Sequence, residues 1–145
     1  MRAKLVAACA AVTTLLLVPA AEAATWKGKT RQGRLAEVTT GADGLVSKAR
    51  MRYRARCGDG KMLTSGVIYR APLSNSTTTA FSDDGTFRFK LPDGERARAR
   101  TAVDGGLRTS GRWTGDFRVN VRITKNGKFV TNCRTGRVGW KASPR

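Results

Sequence analysis

Histidine is absent from this chain of 145 residues, and cysteine, proline and acidic residues are scarce, with three Cys, four Pro and ten Asp and Glu. Without histidine, neither a Ser-His-Asp triad nor a Cys-His pair can form. Histidine is also a usual ligand of zinc in proteins. The composition therefore predicts that the protein is not an enzyme and that it holds no metal and no other cofactor.

Few carboxylates are left for acid–base chemistry. Five of the seven Asp directly precede a Gly, where an Asp side chain typically caps the backbone of a turn. The remaining acids after residue 23 are Glu37, Asp83, Glu95 and Asp116. Glycoside hydrolysis needs two opposed carboxylates. A glycosidase site would therefore require that two of these four side chains face each other in the folded chain.

A long apolar run occurs only near the start of the chain. Two basic residues precede the apolar residues 5–18, and Ala21-Glu22-Ala23 presents small residues at the two positions that a signal peptidase reads. The apolar run is too short to span a hydrocarbon core of roughly 30 Å. We predict a cleaved signal peptide, residues 1–23, and one secreted, extracellular domain, residues 24–145.

Negative charge is scarce as well. The chain carries 28 Lys and Arg against 10 Asp and Glu, a net charge of +18. Cleavage after Ala23 removes Arg2, Lys4 and Glu22, which leaves a net charge of +17 on residues 24–145. Arginine outnumbers lysine there, and its planar fork binds phosphate, sulfate and carboxylate groups in a bidentate manner.

Cleavage also removes Cys9 and leaves Cys57 and Cys133. Exported proteins meet an oxidising environment, and two cysteines allow one intramolecular pairing. We predict a disulfide between Cys57 and Cys133, which the chain-entropy account values at about 4.5 kcal/mol for a loop of this size. Two buried free thiols are the alternative.

Asp-Gly and Asn-Gly steps divide the chain into pieces of strand length. We predict a tight turn at each step, because Asp, Asn and Gly tolerate positive φ. The six steps are Asp43-Gly44, Asp59-Gly60, Asp84-Gly85, Asp93-Gly94, Asp104-Gly105 and Asn126-Gly127.

Apolar and polar residues alternate in the pieces between these steps. In residues 48–57, KARMRYRARC, each residue between the apolar positions is Lys or Arg, and residues 86–91 and 117–124 follow a similar pattern. Successive side chains of a strand point to opposite faces, so each piece is predicted to bury one face and expose a polar, mainly basic one. Residues 95–103, ERARARTAV, also alternate and are predicted as a strand, although Ala, Arg and Glu favour helix.

The polar residues 70–80, RAPLSNSTTTA, are predicted to be a mobile connection. The pattern as a whole predicts an all-β fold, a single antiparallel β-sandwich or barrel of about eight strands. We expect Trp113 and Trp140 in its core.

Two motifs resemble those of a family of small secreted actinobacterial β-sandwich domains of unknown function. The opening pattern G-x-T-x-Q-G matches residues 28–33, GKTRQG, and the closing pattern C-x-T-G-x-V-x-W-x-A matches residues 133–142. With the central Cys57, the resemblance covers nearly all of residues 24–145. It implies the β-sandwich fold and export, and it brings no assigned activity and no catalytic residues.

The basic strand faces form the candidate functional surface. Two ladders of cations share the outward parity of their strands, and the candidate polyanion-binding residues are Lys48, Arg50, Arg52, Arg54, Arg56, Arg96, Arg98 and Arg100. Alternate residues of a strand lie about 6.7 Å apart, so a polyanion could lie along either ladder. We predict non-specific binding of anionic polysaccharide, teichoic acid, extracellular nucleic acid or acidic lipid headgroups.

Two other interpretations fit the same features. Residues 70–80 could serve a protein-partner module, such as an inhibitor or an adhesion domain. The basic surface could also have no specific ligand, because repulsion between cations about 7 Å apart in water costs only roughly 0.6 kcal/mol. Base-specific readout lacks a recognition helix, and the aromatic residues that would stack on bases if exposed are Trp26, Tyr53, Phe81 and Trp113. The sequence predicts no oligomeric state.

Overall fold

A computed structural model describes residues 23–145, which form ten strands joined by turns and contain no helix. The strands are β1 Thr25–Thr30, β2 Leu35–Thr40, β3 Val46–Cys57, β4 Met62–Arg70, β5 Asn75–Ser76, β6 Ala80–Lys90, β7 Arg96–Leu107, β8 Trp113–Lys125, β9 Lys128–Arg134 and β10 Val138–Pro144. In this part of the chain there is accordingly no helix long and apolar enough to cross a lipid bilayer. The all-β prediction is confirmed, while the predicted signal peptide lies outside the described residues apart from Ala23.

The strand pairings, all antiparallel, close into a ring. Hydrogen bonding passes from β1 through β2, β3, β9 and β8 to β10, and β10 pairs with β1 again. β4 extends the sheet from the other side of β3, and β7, β6 and β5 extend it from the other side of β8. The fold is therefore barrel-like at the ring and continues into sheet extensions, in agreement with the predicted sandwich or barrel.

The core is built from the inward parity of the strands. In β3 the residues Ala49, Met51, Tyr53 and Ala55 are buried while the residues between them are exposed. β7 also alternates as a strand, which confirms the prediction for residues 95–103. The alternation therefore decides the state of this segment against its helix-favouring composition.

An aromatic cluster lies near the pairing of β8 with β10. The Phe81 ring is 5.5 Å from that of Trp113 and 6.0 Å from that of Trp140 between centroids, and Trp26 meets Trp113 edge-on at 6.2 Å. Trp113 and Trp140 are buried, as expected. Because β10 pairs with both β1 and β8, this cluster packs at the place where the ring closes and stabilises it.

The predicted disulfide is confirmed. Cys57 and Cys133 are bonded, and they are register partners in the short pairing of β3 with β9. The bond therefore stabilises the pairing of β3 with β9. It links two residues that are 76 positions apart in the sequence.

Two of the six predicted turns are wrong. Asp84-Gly85 lies inside β6, and Asp104-Gly105 lies inside β7. Gly105 serves the core, because a Cβ atom there would lie 2.5 Å from the Phe81 ring and 2.7 Å from the Trp140 ring. At the other four steps the glycine has a positive φ, as a tight turn requires.

The predicted connection, residues 70–80, is more structured than a plain loop. It contains β5, which pairs with β6, and the Ser76 hydroxyl accepts a hydrogen bond from the Val46 main chain. Both the main chain and the hydroxyl of Ser74 donate to the Asp83 carboxylate, at 3.2 and 2.7 Å. Ser74 and Ser76 therefore attach this segment to neighbouring strands by hydrogen bonds.

A glutamine side chain fills a gap in the sheet along β3. β2 pairs with β3 as far as Met51, and β9 joins β3 at Arg56. Between them, the Gln32 side chain donates to the Arg54 carbonyl at 2.8 Å and accepts from the Arg54 N–H at 2.9 Å. One amide thus supplies both hydrogen bonds that a strand residue would make.

A second polar residue fills the matching gap along β8. β10 pairs with β8 as far as Phe117, and β9 pairs with it from Asn120 onward. Between them, Thr135 Oγ1 accepts from the Val119 N–H at 2.9 Å, and the Thr135 N–H donates to the Val119 carbonyl at 3.0 Å. Gln32 and Thr135 belong to the two sequence motifs, so both motifs include a residue that completes the sheet.

Candidate polyanion-binding surface

Four of the predicted cations on β3 form an exposed row. Arg50, Arg52, Arg54 and Arg56 are exposed, and the residues between them are buried. We call these four the β3 ladder. Its parity is the one predicted from the sequence.

Lys48, the fifth predicted member, has a different environment. Its Nζ atom lies 3.2 Å from Glu37 Oε1, and Lys27 Nζ lies 3.4 Å from Glu37 Oε2. Burial raises the pKa of the Glu37 carboxyl, but the two ammonium groups outweigh burial and hold the pKa below its ordinary value of 4.5. Lys48 therefore compensates a buried carboxylate, and its charge is less free for a ligand than those of the β3 ladder.

A larger group of cations lies across the strands on the outer face of β6, β7, β8 and β9. Arg98 on β7 is the register partner of Arg88 on β6 and of Arg122 on β8. Register partners in antiparallel strands are separated by about 4.5–5.5 Å between Cα atoms. Three arginine side chains thus extend from neighbouring positions on three adjacent strands.

A second row joins this group to the β3 ladder. Arg100 is the register partner of Asn120, which pairs with Arg134, which pairs with Arg56. We call the combined group the cross-strand patch; it consists of Arg56, Arg88, Lys90, Arg96, Arg98, Arg100, Arg122 and Arg134. The two predicted ladders therefore meet on one continuous outer surface.

Within the described part of the chain, the cations of the patch have no acidic partner at ion-pair distance. Among residues 23–145, the cations of the four ion pairs are Lys27, Lys48, Lys61 and Arg137. Cationic groups about 6 Å apart in water repel each other by roughly 0.7 kcal/mol, and like charges directly opposite on paired strands are destabilising. The patch thus keeps a repulsion that a bound anion would relieve.

Two concave regions lie within the patch. The side chains of Arg98, Arg100, Asn120 and Arg122 line a cavity of about 360 Å³. A neighbouring groove of about 590 Å³ runs beside it and is lined mainly by Arg88, Lys90, Arg96, Arg98, Arg122 and Thr124. Guanidinium forks and one amide around a small cavity can donate several hydrogen bonds to a phosphate or sulfate group.

The exposed aromatic residue at this surface is one that sequence reasoning missed. Phe129 is 53% exposed, and the Arg122 guanidinium lies 5.1 Å from its ring centroid. This stacking arrangement restrains Arg122 at the centre of the patch. Tyr53, Phe81 and Trp113 are buried, so the exposure that base stacking on these three would require is not met.

The opposite half of the same face gathers acidic residues. Asp84, Asp104 and Asp116 lie on the outer parity of β6, β7 and β8 and, with Asp83, line a shallow cavity of about 430 Å³, whose lining also includes Arg118 and Arg137. Asp104 and Asp116 are register partners, and Asp116 is paired with Arg137 at 2.8 Å. These two carboxylates stand side by side, whereas a glycosidase holds its two carboxyl groups on opposite sides of a bond. No group of three or more acidic or cysteine side chains in residues 23–145 is arranged to hold a metal ion.

Arg88, Lys90, Arg122 and Arg134 were outside the predicted ladders. The alternation in residues 86–91 and 117–124 already marks the first three as outward. Their meeting depends on the register of β6, β7 and β8, which the wrong turn assignments at Asp84-Gly85 and Asp104-Gly105 concealed.

The comparisons with known proteins give no relative from which a function could be transferred. No protein-family model, no curated protein and no solved structure matches the chain. The resemblance to secreted actinobacterial domains therefore stays a prediction carried by the two motifs.

Proposed function

We propose that this protein is exported and non-catalytic, and that it binds anionic polymers through the cross-strand patch. The observation that carries the proposal is the row of Arg88, Arg98 and Arg122, which stand in register without an acidic partner among residues 23–145. A polymer that carries phosphate, sulfate or carboxylate groups supplies the missing negative charge. Anionic polysaccharide, teichoic acid and extracellular nucleic acid all have this property, and the patch offers no feature that reads a sequence.

The polymer is expected to cross the strands. Along β7, the cations Arg96, Arg98 and Arg100 are followed by Asp104, roughly 20 Å beyond Arg98 at about 3.4 Å per residue. A polyanion that followed β7 would therefore run into the acidic half of the face. Across the strands, the row from Arg100 through Arg134 to Arg56 stays cationic or neutral.

Salt-dependent binding of a labelled duplex DNA and of inorganic polyphosphate tests this proposal. The informative variant is Arg98→Gln/Arg122→Gln, which removes two charges from the central row. On duplex DNA we expect the slope of log affinity against log salt to fall in magnitude by up to about 1.8, because each lost phosphate contact contributes roughly 0.9. Polyphosphate binding should weaken as well.

The matched control is Arg112→Gln/Arg145→Gln, which removes two exposed arginines outside the patch. Its slope should stay close to that of the unchanged protein. Equal losses in both double variants would show that net charge alone attracts the polymer, and the proposal would then be wrong. Unchanged binding by the Arg98→Gln/Arg122→Gln variant would also contradict it.

A further inference from the structure

The sheet has two long strand edges without a strand partner among the described residues. One is the outer edge of β4, since β4 pairs with β3 alone. The other is the outer edge of β6 beyond its short pairing with β5. An open edge presents unpaired N–H and C=O groups to which another strand can add.

The main-chain groups on the open edge of β4 are those of its even-numbered residues. At the ends of the β3–β4 pairing, the Cys57 N–H donates to the Lys61 carbonyl and the Ala71 N–H donates to the Ser47 carbonyl. Hydrogen-bonded pairs alternate along an antiparallel ladder. The odd-numbered residues of β4 therefore bond to β3, and Thr64, Gly66 and Ile68 direct their main-chain groups to the open edge.

The two edges differ in their protection. The residues that face the open edge of β6 include Asp84, Arg88 and Lys90, and charged side chains are a common means of blocking edge-to-edge pairing. The corresponding central residues of β4 are Thr64, Gly66 and Ile68, none of them charged. Ile68 is 37% exposed. The protein thus guards one edge and leaves the other free to pair.

We infer that β4 is a self-association edge, at which two copies of this chain pair antiparallel about Gly66. In this register, Gly66 of one copy lies opposite Gly66 of the other, and Thr64 lies opposite Ile68. The pairing is symmetric and closes at two copies. It joins the sheets of both molecules and places both β3 ladders on one continuous outer face.

The charge of the two copies does not prevent this pairing at physiological salt. Arg52 is the register partner of Gly66, so the facing arginines of the two β3 ladders are separated by three strand spacings, about 14 Å. The exposed Arg70 at the end of β4 lies opposite Met62 of the other copy and two spacings, about 10 Å, from its Arg56. The Debye length at physiological ionic strength is about 8 Å, so most of the repulsion is screened. Because main-chain bonds supply most of the contact, we expect a weak dimer that tightens as salt rises.

Sedimentation equilibrium over a wide concentration range, at 0.15 M and about 0.5 M salt, tests the inference without any polyanion. We expect a reversible dimer whose dissociation constant rises at least about tenfold, roughly 1.4 kcal/mol, in Ile68→Lys. Thr86→Lys is the matched control, because it adds the same charge at an exposed position facing the guarded edge of β6. Its dissociation constant should stay close to that of the unchanged protein.

Amide hydrogen exchange locates the contact. On raising the protein concentration, the amides of Thr64, Gly66 and Ile68 should become protected. If Ile68→Lys folds poorly, Thr64→Lys replaces it, since Thr64 is exposed on the same edge. A protein that stays monomeric at the highest concentration and at high salt would refute the inference. A dimer that persists in the lysine variant, or leaves these amides unprotected, would do so as well.

Discussion

Gln32 shows how one side chain can stand in for a strand residue. Its amide binds both main-chain groups of Arg54 at the place where β2 has ended and β9 has not begun. In the sequence, Gln32 is a single polar residue, and nothing in the pattern of polar and apolar residues reveals its partner. The motif GKTRQG is explained in part by this requirement, independently of any function.

Replacing Gln32 tests this role. In Gln32→Ala the N–H and C=O of Arg54 lose their partners, so we expect a loss of about 1–3 kcal/mol in the free energy of unfolding. Denaturant unfolding measures it, with Asn132→Ala as the control, because Asn132 is an exposed amide of β9 without a side-chain hydrogen bond among the described residues. A loss below about 0.5 kcal/mol, the usual range for surface substitutions, would contradict the role.

Glu37 gives the protein a specific sensitivity to acid. Its folded-state pKa lies below the ordinary value of 4.5 because of Lys48 and Lys27. The ion pairs therefore contribute their full stability above that ordinary value, and the contribution is lost as the pH falls through the folded-state pKa. We expect Glu37→Gln to be less stable than the unchanged protein near pH 6, and the difference to shrink toward roughly pH 3. Unfolding free energies that differ by the same amount at both pH values would contradict the assignment.

At the scale of strands, alternation proved sufficient to predict which residues face the core. The parity of β3, the strand state of β7 and the inward Trp140 all follow from it, and the disulfide followed from compartment and cysteine number. Dipeptide signals were less sufficient. The Asp104-Gly105 step resembles a turn signal in the sequence. In the structure, glycine is required at position 105 because the rings of Phe81 and Trp140, which come close only in the folded chain, leave no room for a Cβ atom.

The candidate surface could be predicted only in part for the same reason. The exposure of Arg98 and Arg122 can be read from alternation along each strand. Their position side by side is a matter of register between strands, and the link from Arg134 to Arg56 joins strands far apart in sequence. Sequence reasoning therefore found the ladders along the strands and missed the rows across them.

The β3 ladder can be tested as a unit by Arg50→Gln/Arg52→Gln/Arg54→Gln. These side chains are exposed, so stability should hold or rise slightly as repulsion is lost. If the ladder binds polymer together with the patch, the salt slope on duplex DNA should fall in magnitude by up to about 2.7. An unfolded triple variant would contradict the exposed parity, and a folded variant with unchanged slopes would leave binding to the cross-strand patch alone.

At the scale of the whole molecule, charge is divided over one sheet face. The half of the β6–β8 face that holds Arg88, Arg98 and Arg122 is cationic, and the other half holds Asp84, Asp104 and Asp116. On a domain of high net positive charge, acidic residues gathered in this way make the electrostatic potential differ between the two ends of the face. A polyanion is attracted more strongly to the cationic half than to the half where four Asp offset Arg118 and Arg137, so the molecule should bind with a preferred orientation.

Amide chemical-shift mapping during a titration with inorganic polyphosphate shows which surface of the protein binds the polymer. We expect the largest changes at the outward residues of β6–β9 around Arg98, Asn120 and Arg122, continuing to Arg56 and reversed by added salt. We expect little change around Asp104 and Asp116. Changes spread evenly over all exposed Lys and Arg, or centred away from the cross-strand patch, would contradict the proposal.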